Sequence, residues 1–203
     1  MKQITELKEQ VKNKKRVSVY LDGEFYCGLD LITVMKYRLK KGDFIEESEL
    51  VKIQYEAELQ ACFDRALTFI SSAIKTKKQI SDKLRSLGYL DEIIEKAVLK
   101  LEDYGFVNDK DYASRYASTY KTNKGKKLIR LELIKKGVSA SDLEDVLNGI
   151  ESQQESCDLI AEKYLKNKQI DDKVLAKLYN RLLSKGFDYE EIKSTISKYK
   201  NDD

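Results

Sequence analysis

Three short segments of this chain align with one another without a gap. They are KLRSLGY (83–89), ELIKKGV (132–138) and RLLSKGF (181–187), and their glycines, Gly88, Gly137 and Gly186, stand 49 residues apart. The register extends well beyond these segments. Leu84, Leu133 and Leu182 lie four residues before the glycine, and Ile80, Ile129 and Leu178 lie eight before it. Tyr89, Val138 and Phe187 follow it directly. Ile94, Leu143 and Ile192 come six residues after it, and Val98, Leu147 and Ile196 ten after. Upstream, Leu67, Tyr116 and Leu165 stand 21 before it, and Phe63, Tyr112 and Ala161 stand 25 before. A fixed period of this length marks a tandem array of one supersecondary unit.

The spacing says what the unit is. Apolar residues four apart share one helix face, so each unit holds a first helix through the two upstream positions and a second through minus eight and minus four. The glycine supplies a left-handed residue past the helix end, which glycine adopts at little cost. A third helix then carries plus six and plus ten. Thr76 with Gln79, and Asp188 with Glu191, fit capping boxes; Ser139 with Asp142 is a weaker version. The chain has no proline to interrupt these helices. A unit this small buries little core alone, so neighbours are expected to stack. The expected fold is mostly α: three three-helix units in an elongated or curved array, preceded by a small β-hairpin-plus-helix module. The boundaries fall at 1–56 for the module and at 57–107, 108–155 and 156–203 for the units.

In the module, Val17, Val19 and Leu21 alternate with polar residues, Asp22-Gly23 follows, and Phe25 and Cys27 alternate beyond it. Asp-Gly between alternating runs is a strong hairpin signal. A short helix is expected over about 30–39, ending at Lys41-Gly42.

Several chemistries find no support. With no histidine, the chain lacks the commonest general base and the commonest nitrogen ligand for metals. Ser72 and Lys75 match Ser-x-x-Lys without the companion motifs of the enzymes that use it. Gly125-Lys126 lacks the upstream glycine of a phosphate loop. Acidic pairs such as Asp91/Glu92 and Glu190/Glu191 fall where third helices begin, where the helix dipole favours them. Cys27, Cys62 and Cys157 are odd in number and far apart, which argues for reduced, mostly buried thiols in a cytoplasmic protein rather than a disulfide or zinc framework. No signal peptide and no membrane span are expected, and the residues call for no enzyme activity, metal or cofactor.

The net charge of +3 conceals a polarised distribution. Residues 121–136 carry seven basic groups against one acidic, residues 72–87 five against one, and residues 141–158 six acidic groups and no basic ones. Second helices of units one and two are therefore basic, and third helices tend to be acidic. Aligned in an array, Lys75, Lys77, Lys78 and Arg85 of unit one and Lys121, Lys124, Lys126, Lys127 and Arg130 of unit two are candidates for a phosphate-binding stripe; the plainer reading of any one lysine is a solvated helix face. Tyr112, Tyr116 and Tyr120 resemble a base-stacking platform, but the first two occupy repeat core positions and are expected to pack inward.

These segments in order, KTKKQISDKLRSLGY (75–89), YGFVNDKDYASRY (104–116) and GKKLIRLELIKKGV (125–138), together with the VYLDGEFYCGL hairpin (19–29), resemble the RecX family of RecA regulators. The chain departs from many members at 72–76, where SAIKT replaces a turn containing arginine and proline. The resemblance implies a monomer that binds the RecA filament on single- or double-stranded DNA, most simply inhibiting its ATPase and strand exchange. The reading from residues alone leaves an alternative open, a general nucleic-acid-binding helical repeat without a RecA role.

Overall fold

The structure is a computed structural model and describes residues 1–11 and 13–200. The chain forms two compact units, residues 1–69 with 84–101, and residues 70–83 with 102 onward.

In the first unit, β1 (Lys2–Gln10), β2 (Asn13–Leu21), β3 (Glu24–Asp30) and β4 (Phe44–Ile45) form an antiparallel sheet in the order β3-β2-β1-β4. The expected hairpin joins β2 to β3. Asp22 and Gly23 have φ of +49° and +90°, as a type I′ turn requires, and Leu21 pairs with Glu24 across it. Strand β1 was not anticipated, because Ile4 and Leu7 are spaced by three and break strand alternation. A β-bulge explains this spacing: the extra residue between Ile4 and Glu6 lets Ile4, Leu7 and Glu9 pair with Leu21, Val19 and Val17. The hairpin is thus part of a four-stranded sheet, which gives it the partners that an isolated hairpin lacks.

Helix α1 (Leu31–Lys36) is shorter than expected. Asp30 caps it, accepting from the Thr33 backbone N–H at 2.8 Å, and Arg38 at φ +53° ends it before Gly42 is reached. Helix α2 (Glu47–Ile70) runs on without a break for 24 residues. Its start buries Leu50 and Ile53 in the core of the sheet, and its end buries Cys62, Phe63 and Ala66. Helix α4 (Asp91–Asp103) is held to α2 by polar clasps. Tyr55 Oη donates to Glu92 Oε1 at 3.1 Å, and Lys100 Nζ lies 4.5 Å from the Phe63 ring centre.

The second unit contains two complete three-helix repeats, α5 (Asp109–Tyr120), α6 (Lys126–Lys135) and α7 (Ala140–Asn148), then α8 (Gln154–Leu165), α9 (Asp172–Ser184) and α10 (Tyr189–Ser197). It also holds the start of α3 (Lys77–Ser86), the second helix of the first repeat. The repeat positions are the core positions: Ile80, Ile129, Leu178, Leu133 and Leu182 are fully buried, as are Phe187 and Ile192. Gly88, Gly137 and Gly186 have φ of +90°, +89° and +83°. The caps form as expected. Thr76 and Gln79 exchange both hydrogen bonds, Asp188 and Glu191 make a full box, and Ser139 accepts from the Asp142 N–H at 3.2 Å.

The repeat glycines have a second task. Twelve residues before the glycine stand Thr76 in the first repeat and Gly125 in the second. Thr76 Oγ1 donates to the Lys136 carbonyl at 2.6 Å, and the Gly125 N–H donates to the Lys185 carbonyl at 2.8 Å. The C-terminus of α6 therefore abuts the N-terminus of α3, and the C-terminus of α9 abuts the N-terminus of α6. Opposite ends of helix dipoles meet at each junction. The approach is close: a Cβ on Gly125 would lie 2.1 Å from the Gly186 carbonyl oxygen, and one on Gly137 2.4 Å from Lys78 Cβ.

Candidate nucleic-acid interface

The second helices carry their lysines where a helix tolerates them least. Lys77 and Lys78 occupy the first turn of α3, Lys126 and Lys127 the first turn of α6, and neither turn contains an acid. A cation at the positive end of the helix dipole opposes it by roughly 0.3–1 kcal/mol. Third helices obey the ordinary rule, with Asp91 and Glu92, Asp142, and Glu190 and Glu191 in their first turns. The backbone N–H groups at these starts are already bonded, Lys77 to Asp109 and Gly125 and Lys127 to the Lys185 and Gly186 carbonyls, so it is the lysine ammoniums that remain to meet phosphate oxygens.

Carboxylates occupy many of these charges. Lys77 Nζ meets Glu102 at 2.8 Å, Lys78 meets Asp82 at 2.7 Å, and Lys127 meets Asp188 at 3.0 Å. Arg130 pairs with Glu144. Glu102, Asp188 and Glu144 lie outside the basic runs, so only the folded chain brings them near. Arg85 pairs with Asp91 at 2.8 Å, both within the first unit. Lys75 is half-buried just before α3. Lys121, the C-cap of α5, and Lys126 have no carboxylate within ion-pair distance among the described residues.

Lys124 is the candidate most deeply committed to structure. Its ammonium lies 2.6 and 2.7 Å from the two oxygens of Glu132, which also accepts from Tyr116 Oη at 2.7 Å. Burial pushes the Glu132 carboxyl up, but hydrogen bonds from Lys124 and Tyr116 outweigh it and hold the group below the usual carboxylate range. Tyr112, Tyr116 and Tyr120 form a ladder along α5 with ring centres 6.2 and 4.5 Å apart. Tyr112 and Tyr116 pack on the core as expected. Lys124 stands 4.2 Å over Tyr120 and Lys136 5.5 Å over Tyr116, so cations already cover these rings.

The start of α3 is anchored by Asp109, the first residue of α5, which accepts from the Lys77 N–H at 2.9 Å. Burial raises the Asp109 carboxyl above its usual value, partly countered by that hydrogen bond and by the Lys77 charge. Asn108 caps α5 by accepting from Asp111 N–H at 2.9 Å, so the Asn-Asp pair is structural. Among the described residues no group of three or more His, Cys, Asp or Glu is placed to hold a metal, and no helix is long and apolar enough to cross a membrane. Cys27, Cys62 and Cys157 are buried free thiols.

Comparison with known proteins agrees with this architecture. Residues 2–46 match the regulatory protein RecX N-terminal domain, 62–101 the first three-helix domain of RecX, and 108–147 the second. A regulatory protein RecX of Clostridium botulinum (strain Alaska E43 / Type E3) is 34% identical over 99% of this chain and 98% of its own. One from Bacillus subtilis (strain 168) is 29% identical over 98% of this chain and 79% of its own. Among solved structures, one described as regulatory protein RecX superposes with a TM-score of 0.73 at 26% identity, covering 97% of this chain and all 100% of the other. RecX from Lactobacillus salivarius superposes with a TM-score of 0.63 at 33% identity, over 70% of this chain and 96% of the other. The chain belongs to the RecX family of regulatory proteins.

Proposed function

We propose that this protein is a cytoplasmic, monomeric, non-enzymatic regulator of RecA, which binds the RecA–DNA filament and lowers its ATPase and strand-exchange activity. The observation that carries the reading is full-length membership of a family of regulators, since relatives align over essentially the whole chain. The clustering of lysines supports contact with an anion: Lys77, Lys78, Lys126 and Lys127 stand together at the starts of α3 and α6, and Lys121 and Lys126 have no carboxylate within ion-pair distance among the described residues. The present partners of the others are mostly exposed carboxylates, and such pairs contribute only about 0.2–1 kcal/mol each. A phosphate row can therefore displace Glu102, Asp82 or Asp188 at small expense. Binding alone gives regulation if the protein prefers one state of the filament over another, because the coupling then biases the whole polymer.

The test is RecA turnover on single-stranded DNA with increasing amounts of this protein, alongside its binding to the same DNA without RecA. A fall in ATP hydrolysis at concentrations too low to coat bare DNA supports the reading. Equal affinity for bare DNA with unchanged turnover would favour a general nucleic-acid-binding repeat instead.

A further inference from the structure

Repeat three holds a group of cations that no carboxylate of the described residues neutralises. Lys163, Lys166, Lys168, Arg181 and Lys185 line one depression of about 530 Å³, with Asn123 of the second repeat on its edge. Its size lies within the range of small-ligand sites, roughly 300–1,000 Å³. Among the described residues none of the five cations lies within ion-pair distance of an Asp or Glu. Elsewhere in the same unit some basic side chains are matched, as in Lys110 with Asp145 and Lys198 with Asp158.

Other groups hold these cations in place without cancelling their charge. Lys168 Nζ stands 3.2 Å over the Tyr164 ring and Arg181 Cζ stands 5.4 Å from it, so one aromatic face gathers two positive groups. Lys185 Nζ donates to the Asn123 carbonyl at 3.1 Å, which orients it across the junction between repeats. Arranging like charges in one concavity is unfavourable unless an anion answers them. A low-dielectric wall strengthens the field there.

We infer that this depression binds the phosphodiester backbone of a nucleic acid strand. Five cations and the Asn123 amide in an open, largely polar groove suit several compact phosphates in a row better than scattered carboxylates. Arg181 offers a planar fork for two phosphate oxygens. The depression also adjoins the basic run of repeat two. Gly125 and Lys127, at the start of α6, bond directly to the carbonyls of Lys185 and Gly186. A strand lying on Lys126 and Lys127 therefore continues into repeat three. This extends the proposed function and relies on it only for the source of the strand.

The experiment uses the full chain and a fluorescein-labelled oligo-dT, without RecA, with anisotropy read across a salt series. The variant is Lys163→Ala/Lys168→Ala/Arg181→Ala, three exposed side chains whose loss leaves the core intact; circular dichroism confirms its fold. Each single-strand phosphate contact contributes about −0.7 to the slope of log K against log salt, so losing three should flatten the slope by about 2 and weaken low-salt binding about ten-fold or more. An unchanged affinity and slope would overturn the assignment. So would a variant that binds oligo-dT normally but no longer binds RecA filaments, which would make the partner an acidic protein surface. Inorganic phosphate at matched ionic strength should not displace the oligonucleotide; if it does, the pocket takes a free phosphate and the strand proposal fails. Failure here leaves RecA turnover, the measure of the proposed function, unaffected.

Discussion

The junctions between repeats make a quantitative claim about four glycines. Gly88→Ala should pay only for its left-handed backbone, since nothing lies within 4 Å of the added Cβ. That costs about 1–2 kcal/mol, less the few tenths or more regained from a stiffer unfolded chain. Gly186→Ala has the same dihedral strain, at φ +83°, and a Cβ 2.3 Å from the Leu128 backbone nitrogen. Gly125→Ala is the informative case. Its φ of −73° suits alanine, so dihedral strain is absent, yet its Cβ meets the Gly186 carbonyl oxygen at 2.1 Å. Backbone atoms on both sides cannot swing away as a side-chain end would, so the helices must separate. Overpacking of this kind costs about 1–3 kcal/mol, occasionally more. Gly186→Ala adds both effects, for about 2–5 kcal/mol. Gly137→Ala should fall between Gly88→Ala and Gly186→Ala, because the obstacle is the Lys78 side chain. Urea titrations followed by circular dichroism measure the series. If Gly125→Ala is harmless, or Gly186→Ala no worse than Gly88→Ala, the end-to-end docking of second helices is wrong.

Other outcomes follow from the same structure. Leu133→Asp places a charge at a fully buried position and should unfold the middle repeat, costing more than about 4 kcal/mol; an unaltered melting curve would contradict the repeat core. Burial pushes the Cys27 and Cys62 thiols up to about 11, so a disulfide reagent at neutral pH should label them only slowly until denaturant is added, and rapid labelling of the native protein would refute their burial. Glu132 and Asp158 both sit below the usual carboxylate range, so their contribution is fully present at neutral pH and is lost as pH falls through their folded values. Glu132→Gln should therefore flatten the acid limb of a stability–pH curve. Asp109 works the other way: its raised value means that ionisation in the fold costs stability as pH rises past the ordinary carboxylate range. Asp109→Asn, which keeps the Oδ1 acceptor for Lys77, should remove that rise in cost.

The parts of the fold written in local chemistry were legible. The 49-residue register located the buried residues, the left-handed glycines and the caps at Thr76 and Asp188, because each depends on neighbours within a turn or two. Strand β1 escaped because one bulged residue shifts the alternation between Ile4 and Leu7. The helix ending at Lys36 rather than near 39 turned on Arg38 adopting a left-handed conformation, which sequence favours only weakly outside glycine and asparagine. The charges were legible in number but not in pairing. Glu144 and Asp188 come from acidic third helices, and only folding sets them against Arg130 and Lys127. Repeat three looked unremarkable for the opposite reason: its five cations are spread from 163 to 185 and converge only when α8 and α9 pack together.

Regulation of RecA is proposed to act through binding to its filament. Its most direct measurement is co-sedimentation of this protein with preformed RecA–single-strand filaments, compared with naked DNA of the same length at physiological salt. The protein should pellet with the filament at concentrations where it leaves naked DNA unbound. Equal pelleting with both, or none with the filament, would contradict the account.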